Sequence, residues 1–103
     1  IVARLRLANR PVVVYGSGMF GRKIIDRCLD GGLVVAGLID SDPARAGHAY
    51  RGLVCRSPEM LESFGDVTFA VGSLHFAEEI AERLVQLLGD ARARDTIVAS
   101  RRS

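Results

Sequence analysis

A glycine-rich turn between an apolar run and an amphipathic segment constrains this chain more than any other feature. The turn reads Gly16-Ser17-Gly18-Met19-Phe20-Gly21, and it directly follows the β-branched run 11–15, which predicts a buried strand. Over residues 19–29, apolar side chains recur at the spacing of one helix face: Phe20, Ile24, Ile25 and Cys28. A strand, a tight turn and a helix therefore follow one another without a gap.

The rest of the chain repeats this alternation of strand and helix. Further strands are predicted at 33–39, 53–55, 67–71 and 96–99, and an amphipathic helix at 75–88. A short turn of helix is predicted at 43–46, and a second helix from Pro58 to about Phe64 with Ser57 as its N-cap. Buried strands that alternate with helices predict a three-layer α/β domain of the Rossmann-like type. Its parallel sheet would have the order 3-2-1-4-5, with helices on both faces.

In this context each glycine of the turn has a predicted task. Gly16 permits the tight turn, Gly18 lets the backbone approach a pyrophosphate, and Gly21 lets the helix pack close to the sheet. Free N–H groups from Ser17 to Phe20 and the positive end of the helix dipole would attract phosphate. A structural interpretation stays open, because glycine-rich turns also occur where the chain only needs to turn.

Asp40 ends the second predicted strand, 24 residues after Gly16. An acidic residue at about this spacing accepts a hydrogen bond from the ribose of a bound dinucleotide. A carboxylate there favours a free 2′-hydroxyl over a 2′-phosphate, so we predict NAD rather than NADP, although the nearby Arg45 would soften the preference. Coenzyme A and a nucleotide sugar remain alternative ligands.

Other polar residues near the predicted carboxyl edge of the sheet are weaker candidates. Ser41 and Ser73 complete the predicted cofactor-binding set, with Ser73 as either a ligand contact or a helix cap. His75 is a weak candidate for a general acid or base, because no partner for it can be identified. Arg22 and Lys23 begin the first predicted helix, where one of them would contact a phosphate or both would be solvated.

Composition narrows the class of protein. The chain has 103 residues and a net charge of +2, which suits one domain and gives no argument for nucleic acid as a partner. No apolar run is long enough to span a bilayer, and Arg4 and Arg6 argue against a signal peptide, with residues 1–10 expected to lead straight into a strand. We therefore expect a cytoplasmic domain that belongs to a larger protein. Cys28 and Cys55 predict buried thiols rather than a metal site or a disulfide.

The sequence resembles small nucleotide-binding domains of bacterial surface-polysaccharide enzymes. The likeness rests on the run from Val13 to Arg22, on Gly37-Leu38-Ile39-Asp40-Ser41-Asp42-Pro43 with the glycines that follow, and on Ser57-Pro58-Glu59. It spans about residues 11–90. Such domains accompany nucleotide-sugar dehydratases and epimerases, methyltransferases, glycosyltransferases and acyltransferases. A more distant likeness is to the NAD- or coenzyme A-binding domain of redox-sensing repressors, which share the Asp40–Gly47 element.

Four functional hypotheses follow from these residues and this resemblance. The first is a nucleotide-binding module, with NAD as the predicted ligand, that serves a neighbouring catalytic domain of carbohydrate biosynthesis and has no complete catalytic site of its own. The second is a small NAD-dependent oxidoreductase completed by homo-oligomerisation. The third is a sensor domain that responds to NAD or coenzyme A. The fourth is an empty scaffold whose crevice is filled by Met19 or Phe20.

Overall fold

The computed structural model describes residues 2–72, 77–89 and 97–99. The helices are α1 (Val2–Ala8), α2 (Met19–Asp30) and α3 (Ala77–Leu88), and two 3-10 helices span Pro43–Arg45 and Pro58–Ser63. The strands are β1 (Val12–Tyr15), β2 (Val35–Ile39), β3 (Ala49–Tyr50), β4 (Leu53–Arg56), β5 (Thr68–Val71) and β6 (Ile97–Ala99).

The strands form one sheet in the order β3-β4-β2-β1-β5-β6. Every neighbouring pair is parallel except β3 and β4, which form an antiparallel hairpin at one edge. Without the short β3, the five parallel strands have the predicted order 3-2-1-4-5, and the predicted fold class is confirmed. The chain reverses its winding direction between β1 and β5, so a crevice is expected beside the carboxyl end of β1.

Alternate residues of β1 point to opposite faces of the sheet and divide the core in two. Val12 and Val14 pack with Leu5 of α1 and with the buried face of α2. Val13 and Tyr15 pack on the other face, where they join buried residues of the second 3-10 helix and α3. All four β1 side chains are almost fully buried. Helices on both faces therefore clamp β1 and fix the position of the turn that follows it.

The N-terminal segment is a helix, so the prediction that it leads straight into a strand is wrong. Residues 2–8 are too few to form a stable helix alone, and packing supplies the missing stability. Leu5 is 1% exposed in the core, and the Arg6 guanidinium donates to the carbonyl of Gly31 at the end of α2. Asn9 ends the helix in the left-handed conformation, with φ of 54°.

Two further predictions need correction. Residues 49–50 were assigned no strand, but they form β3, and Arg51 and Gly52 make the two-residue turn with φ of 49° and 83°. Positive φ at both positions is typical of a tight hairpin turn, which the pair asparagine–glycine usually signals. Because Arg51 stands where asparagine is usual, the sequence did not predict this turn. Ser57 precedes a 3-10 helix rather than an α-helix, and its side chain makes no capping hydrogen bond.

Cys28 and Cys55 are buried, as predicted, and lie in the same core cluster as free thiols. Burial raises the pKa of both. Among the residues described, no helix is both long and apolar enough to cross a membrane.

Candidate functional site

Three glycines from different elements pack against one another where β1, α2 and β5 meet. An added Cβ on Gly16 would lie 2.8 Å from the carbonyl oxygen of Gly72, and one on Gly72 would lie 2.6 Å from the Cα of Gly21. A Cβ on Gly21 would overlap the carbonyl of Gly16. Gly16 also has a φ of 118°, which favours glycine. The protein itself thus requires these three glycines, and Gly72 was missed as part of the turn because it is distant in sequence.

Gly18 differs from those three glycines. It is the N-cap of α2 with φ of −74° and ψ of −169°, a backbone conformation open to any residue. Apart from its two chain neighbours, a Cβ built on it would meet no atom of the described residues within 4 Å. Among the described residues no side chain caps the first turn of α2, so the N–H groups at this helix start have no side-chain acceptor there. The fold leaves the space above Gly18 open.

Asp40 lies just after β2 and turns its carboxylate toward the glycine-rich turn. Its Oδ2 accepts hydrogen bonds from both the backbone N–H and the hydroxyl of Ser17, each at 2.7 Å. Its Oδ1 accepts from the N–H of Asp42 at 2.9 Å. The backbone N–H of Ser17 is therefore already hydrogen-bonded. A bound phosphate would have to use the N–H groups of the residues after Ser17. The carboxylate keeps unused acceptor capacity on Oδ1.

The electrostatics around Asp40 favour its charged form. Partial burial by itself raises the pKa of Asp40, but the hydrogen bonds from Ser17 and Asp42, with the charge of Arg45, outweigh it. The net effect holds the pKa of Asp40 below its ordinary value. The site thus keeps a fixed carboxylate beside the turn at neutral pH.

The neighbouring candidate Ser41 contacts the sheet rather than the turn. Its hydroxyl and that of the buried Tyr15 are 2.6 Å apart and share a hydrogen bond. This contact ties the loop after β2 to the end of β1. Ser41 is itself exposed, so its predicted contact with a ligand stays a prediction.

A cleft of about 460 Å³ opens beside Gly18. Its walls come from the first half of α2, from the 3-10 helix after β2 and from β3, and the lining residues are Gly18, Met19, Arg22, Lys23, Asp26, Arg45 and Tyr50. Three of these carry positive charge, whereas only Asp26 carries negative charge. The cleft is therefore an electropositive space that begins at the exposed backbone of the turn.

The β3–β4 hairpin forms the far wall of this cleft and is fastened to α2. The hydroxyl of Tyr50 donates to the carboxylate of Asp26 at 2.8 Å, and Arg51 pairs with Asp26 at 3.0 Å and with Asp30 at 3.6 Å. These bonds, first from Tyr50 and then from Arg51, lower the pKa of Asp26. The guanidinium of Arg22 lies 5.4 Å from the centre of the Tyr50 ring, a cation–π distance.

The two bulky residues of the turn leave the cleft open. Met19 lines the cleft but is 75% exposed, so it lies at the rim. Phe20 packs against the core cluster on the α2 face of the sheet. The Phe20 side chain does not occupy the space above Gly18, since a Cβ there would meet none of its atoms within 4 Å.

Ser73 and His75 lie outside the described residues, so their proposed roles stay predictions. His48 is exposed. Within the described part of the chain, no three histidine, cysteine or acidic side chains come together as a metal site would require. The described lining of the cleft is electropositive, which is the charge that an anion site requires, and no acid–base pair is identified among the described residues.

The main site residues that sequence reasoning undervalued are Arg45 and Tyr50. From the sequence, Arg45 is only the cation nearest Asp40, and Tyr50 is assigned no role. Tyr50 reaches the cleft because the hairpin folds back onto α2, and Arg45 reaches it from the 3-10 helix after β2. The usable signal was Gly52, which marks a turn between two short apolar pairs.

The fold is shared with solved structures that are distant in sequence. UDP-D-quinovosamine 4-dehydrogenase from Vibrio fischeri is similar over 91% of this chain and 78% of its own, with a TM-score of 0.67 and 18% identity. RSP in complex with β-NADH gives a TM-score of 0.66 at 18% identity over 91% of this chain. A second structure of RSP, a Rex-family repressor, gives a TM-score of 0.66 at 16% identity over 97% of this chain.

This chain spans 53% and 56% of the two repressor chains, so it corresponds to about half of each. No protein-family model matches the sequence, and no curated protein matches it either. At these identities the likeness establishes the fold, which is the Rossmann-like fold also found in a UDP-sugar dehydrogenase and a Rex-family repressor.

Proposed function

We propose that this chain is a nucleotide-binding module whose glycine-rich turn holds the phosphates of a dinucleotide. In this proposal it serves a larger cytoplasmic protein, the neighbouring domain performs the chemistry, and the context is bacterial carbohydrate biosynthesis. Two observations support a ligand of the nicotinamide dinucleotide type. One similar structure contains β-NADH, and another is a UDP-sugar dehydrogenase.

The contrast between Gly18 and its neighbours carries this proposal. Gly16, Gly21 and Gly72 are required by close packing inside the protein, whereas Gly18 has neither a strained backbone nor a neighbour that a Cβ would touch. A residue without a side chain at this point exposes the start of α2 to the cleft. A phosphate can then reach backbone N–H groups at the positive end of the helix dipole.

The carboxylate of Asp40 supports a ribose next to the phosphates. Its position after β2 is the one expected for a ribose contact, and Oδ1 can still accept a hydrogen bond from a hydroxyl group. By this argument alone the ligand is NAD. Coenzyme A and a nucleotide sugar use the same phosphate geometry and stay as alternatives.

A sensor domain is the second candidate function. Two of the similar structures are a Rex-family repressor and its complex with β-NADH, and they share the fold over nearly the whole of this chain. A sensor would change its oligomeric state on binding ligand, without turnover. An oxidoreductase completed by oligomerisation would instead oxidise NADH in the presence of a carbonyl compound.

Calorimetric titration of the chain with NADH, coenzyme A and a UDP-sugar tests the proposal. We expect NADH to bind, and Gly18→Val to weaken it at least about tenfold, because its side chain would occupy the phosphate position. Gly65→Val is the matched control, because an added Cβ there also meets no atom of the described residues within 4 Å, apart from its two chain neighbours. Gly65 precedes β5 and so lies at the amino ends of the parallel strands, whereas Gly18 lies at their carboxyl ends.

Binding of NADH that is equal in the wild type and Gly18→Val would refute the assigned site. Failure of the wild type to bind any of the three ligands would refute nucleotide binding as such. Binding of coenzyme A or the UDP-sugar alone, if lost in Gly18→Val, would keep the phosphate site and reject the nicotinamide dinucleotide. Ultracentrifugation with and without the bound ligand separates the sensor from the passive module.

A further inference from the structure

Two arginines from different elements converge on one backbone oxygen at the edge of the cleft. The Nε of Arg22, in the first turns of α2, donates to the carbonyl of Ser17 at 3.3 Å. The Nη1 of Arg45, in the 3-10 helix after β2, donates to the same oxygen, also at 3.3 Å. Their guanidinium groups therefore lie side by side, although 22 residues separate them in the sequence.

These two positive charges are not neutralised by ion pairs within the described part of the chain. The ion pairs found there involve Arg10 and Arg51 instead. Asp40, whose pKa Arg45 helps to lower, accepts its hydrogen bonds from Ser17 and Asp42. Each guanidinium uses one of its five N–H donors on the Ser17 carbonyl, which leaves the other donors for an anion.

The position of the pair indicates which anion fits. Both arginines line the cleft that begins at Gly18, and Lys23 adds a third charge. The pair also flanks Ser17, whose amide and hydroxyl hold Asp40 at the position expected for a ribose. Stacking on Tyr50 restrains Arg22. An anion bound here would therefore lie beside the ribose rather than between the two halves of a dinucleotide.

We infer that Arg22 and Arg45 form a subsite for a phosphate monoester carried on the ribose of the bound nucleotide. This inference rests on the proposed function and refines it: the ligand belongs to the class with a phosphorylated adenosine ribose, as NADP and coenzyme A do. Asp40 alone predicts NAD rather than NADP, whereas this subsite favours the ligand with the additional phosphate. A doubly charged phosphate between two guanidiniums accepts charge-assisted hydrogen bonds from both, and their mutual repulsion is relieved.

The test compares ligands that differ only by this phosphate. NADPH against NADH, and coenzyme A against dephospho-coenzyme A, are titrated into the wild type, Arg45→Gln, Arg22→Gln and Arg27→Gln. Arg27 is the matched control, because it is an exposed arginine of α2 that does not line the cleft. Circular dichroism verifies that each variant is folded.

We expect the phosphorylated member of at least one pair to bind the wild type about tenfold tighter or more, since hydrogen bonds to charged groups contribute that much. The ratio should fall toward one in Arg45→Gln and in Arg22→Gln, and persist in Arg27→Gln. The pair with the larger ratio identifies a 2′- or a 3′-phosphate.

Equal binding within both pairs, or a ratio that both arginine variants retain, would overturn the inference while the nucleotide site stands. Absence of binding by all four ligands would overturn the nucleotide site and this subsite together. The two failures are therefore distinguishable.

Discussion

Replacing Gly21 with alanine tests whether the turn is held by packing inside the protein. The added Cβ would overlap the carbonyl of Gly16 and lie 2.9 Å from its carbonyl carbon, well inside van der Waals contact. The carbonyl cannot move away easily, because the N–H of the same peptide unit, that of Ser17, donates to Asp40 at 2.7 Å and Gly72 packs directly against Gly16. The start of α2 must therefore shift.

The cost can be set against the gain in helix propensity. Overpacking a well-filled core costs about 1–3 kcal/mol, and the upper end applies here because the obstacle is backbone rather than a flexible side chain. Alanine gains about 1 kcal/mol over glycine within a helix, so the net loss is about 2 kcal/mol. For a chain of this size such a loss lowers Tm by about 10 °C.

Urea unfolding followed by circular dichroism measures this loss, with Gly18→Ala as the matched control three residues away. Gly18 has ordinary dihedral angles and no atom within 4 Å of an added Cβ, so we expect its stability to change by less than about 1 kcal/mol. Equal stability of the two variants would refute the packing argument.

Two further predictions concern ionisable groups. Asp40→Asn should lower the free energy of unfolding at pH 7 by about 1–2 kcal/mol. The reason is that three hydrogen bonds now accepted by a partly exposed, charged carboxylate would have only a neutral amide as their acceptor. The pKa of Asp40 is lowered on folding, so this contribution is full above its ordinary value of 3.8 and disappears as pH falls through the folded pKa. Urea unfolding at pH 7 and below pH 3.8 should therefore show the gap to the wild type closing, and a gap that persists would contradict the assignment. Cys28 and Cys55, buried and with raised pKa values, should react with a thiol reagent only after unfolding, and rapid reaction of the native chain would contradict their burial.

Long periodic segments were predicted well because their signal is local. The α2 prediction ended one residue short, and the order of the parallel strands was right. The same local reasoning failed for α1 and β3. Seven residues and two residues respectively carry too little periodicity, and both elements exist because they pack against α2 or pair with β4.

The candidate site divides in the same way. Gly16, Gly18 and Gly21 form a recognisable motif, but the sequence could not separate the two that the protein needs for packing from the one that it leaves open. That difference depends on Gly72, which β5 brings to the turn from 51 residues beyond Gly21.

The sequence by itself determined the alternation of strand and helix, the winding order of the sheet and the place of the glycine-rich turn. Each follows from hydrophobic period and from the few conformations open to the residues concerned. The tertiary structure decided where the charges lie: the carboxylate of Asp40 on Ser17, and Arg22 beside Arg45 at one carbonyl. Side chains from separate elements meet only after the sheet has formed. A charged residue in the sequence therefore does not indicate which residue of another element it will contact.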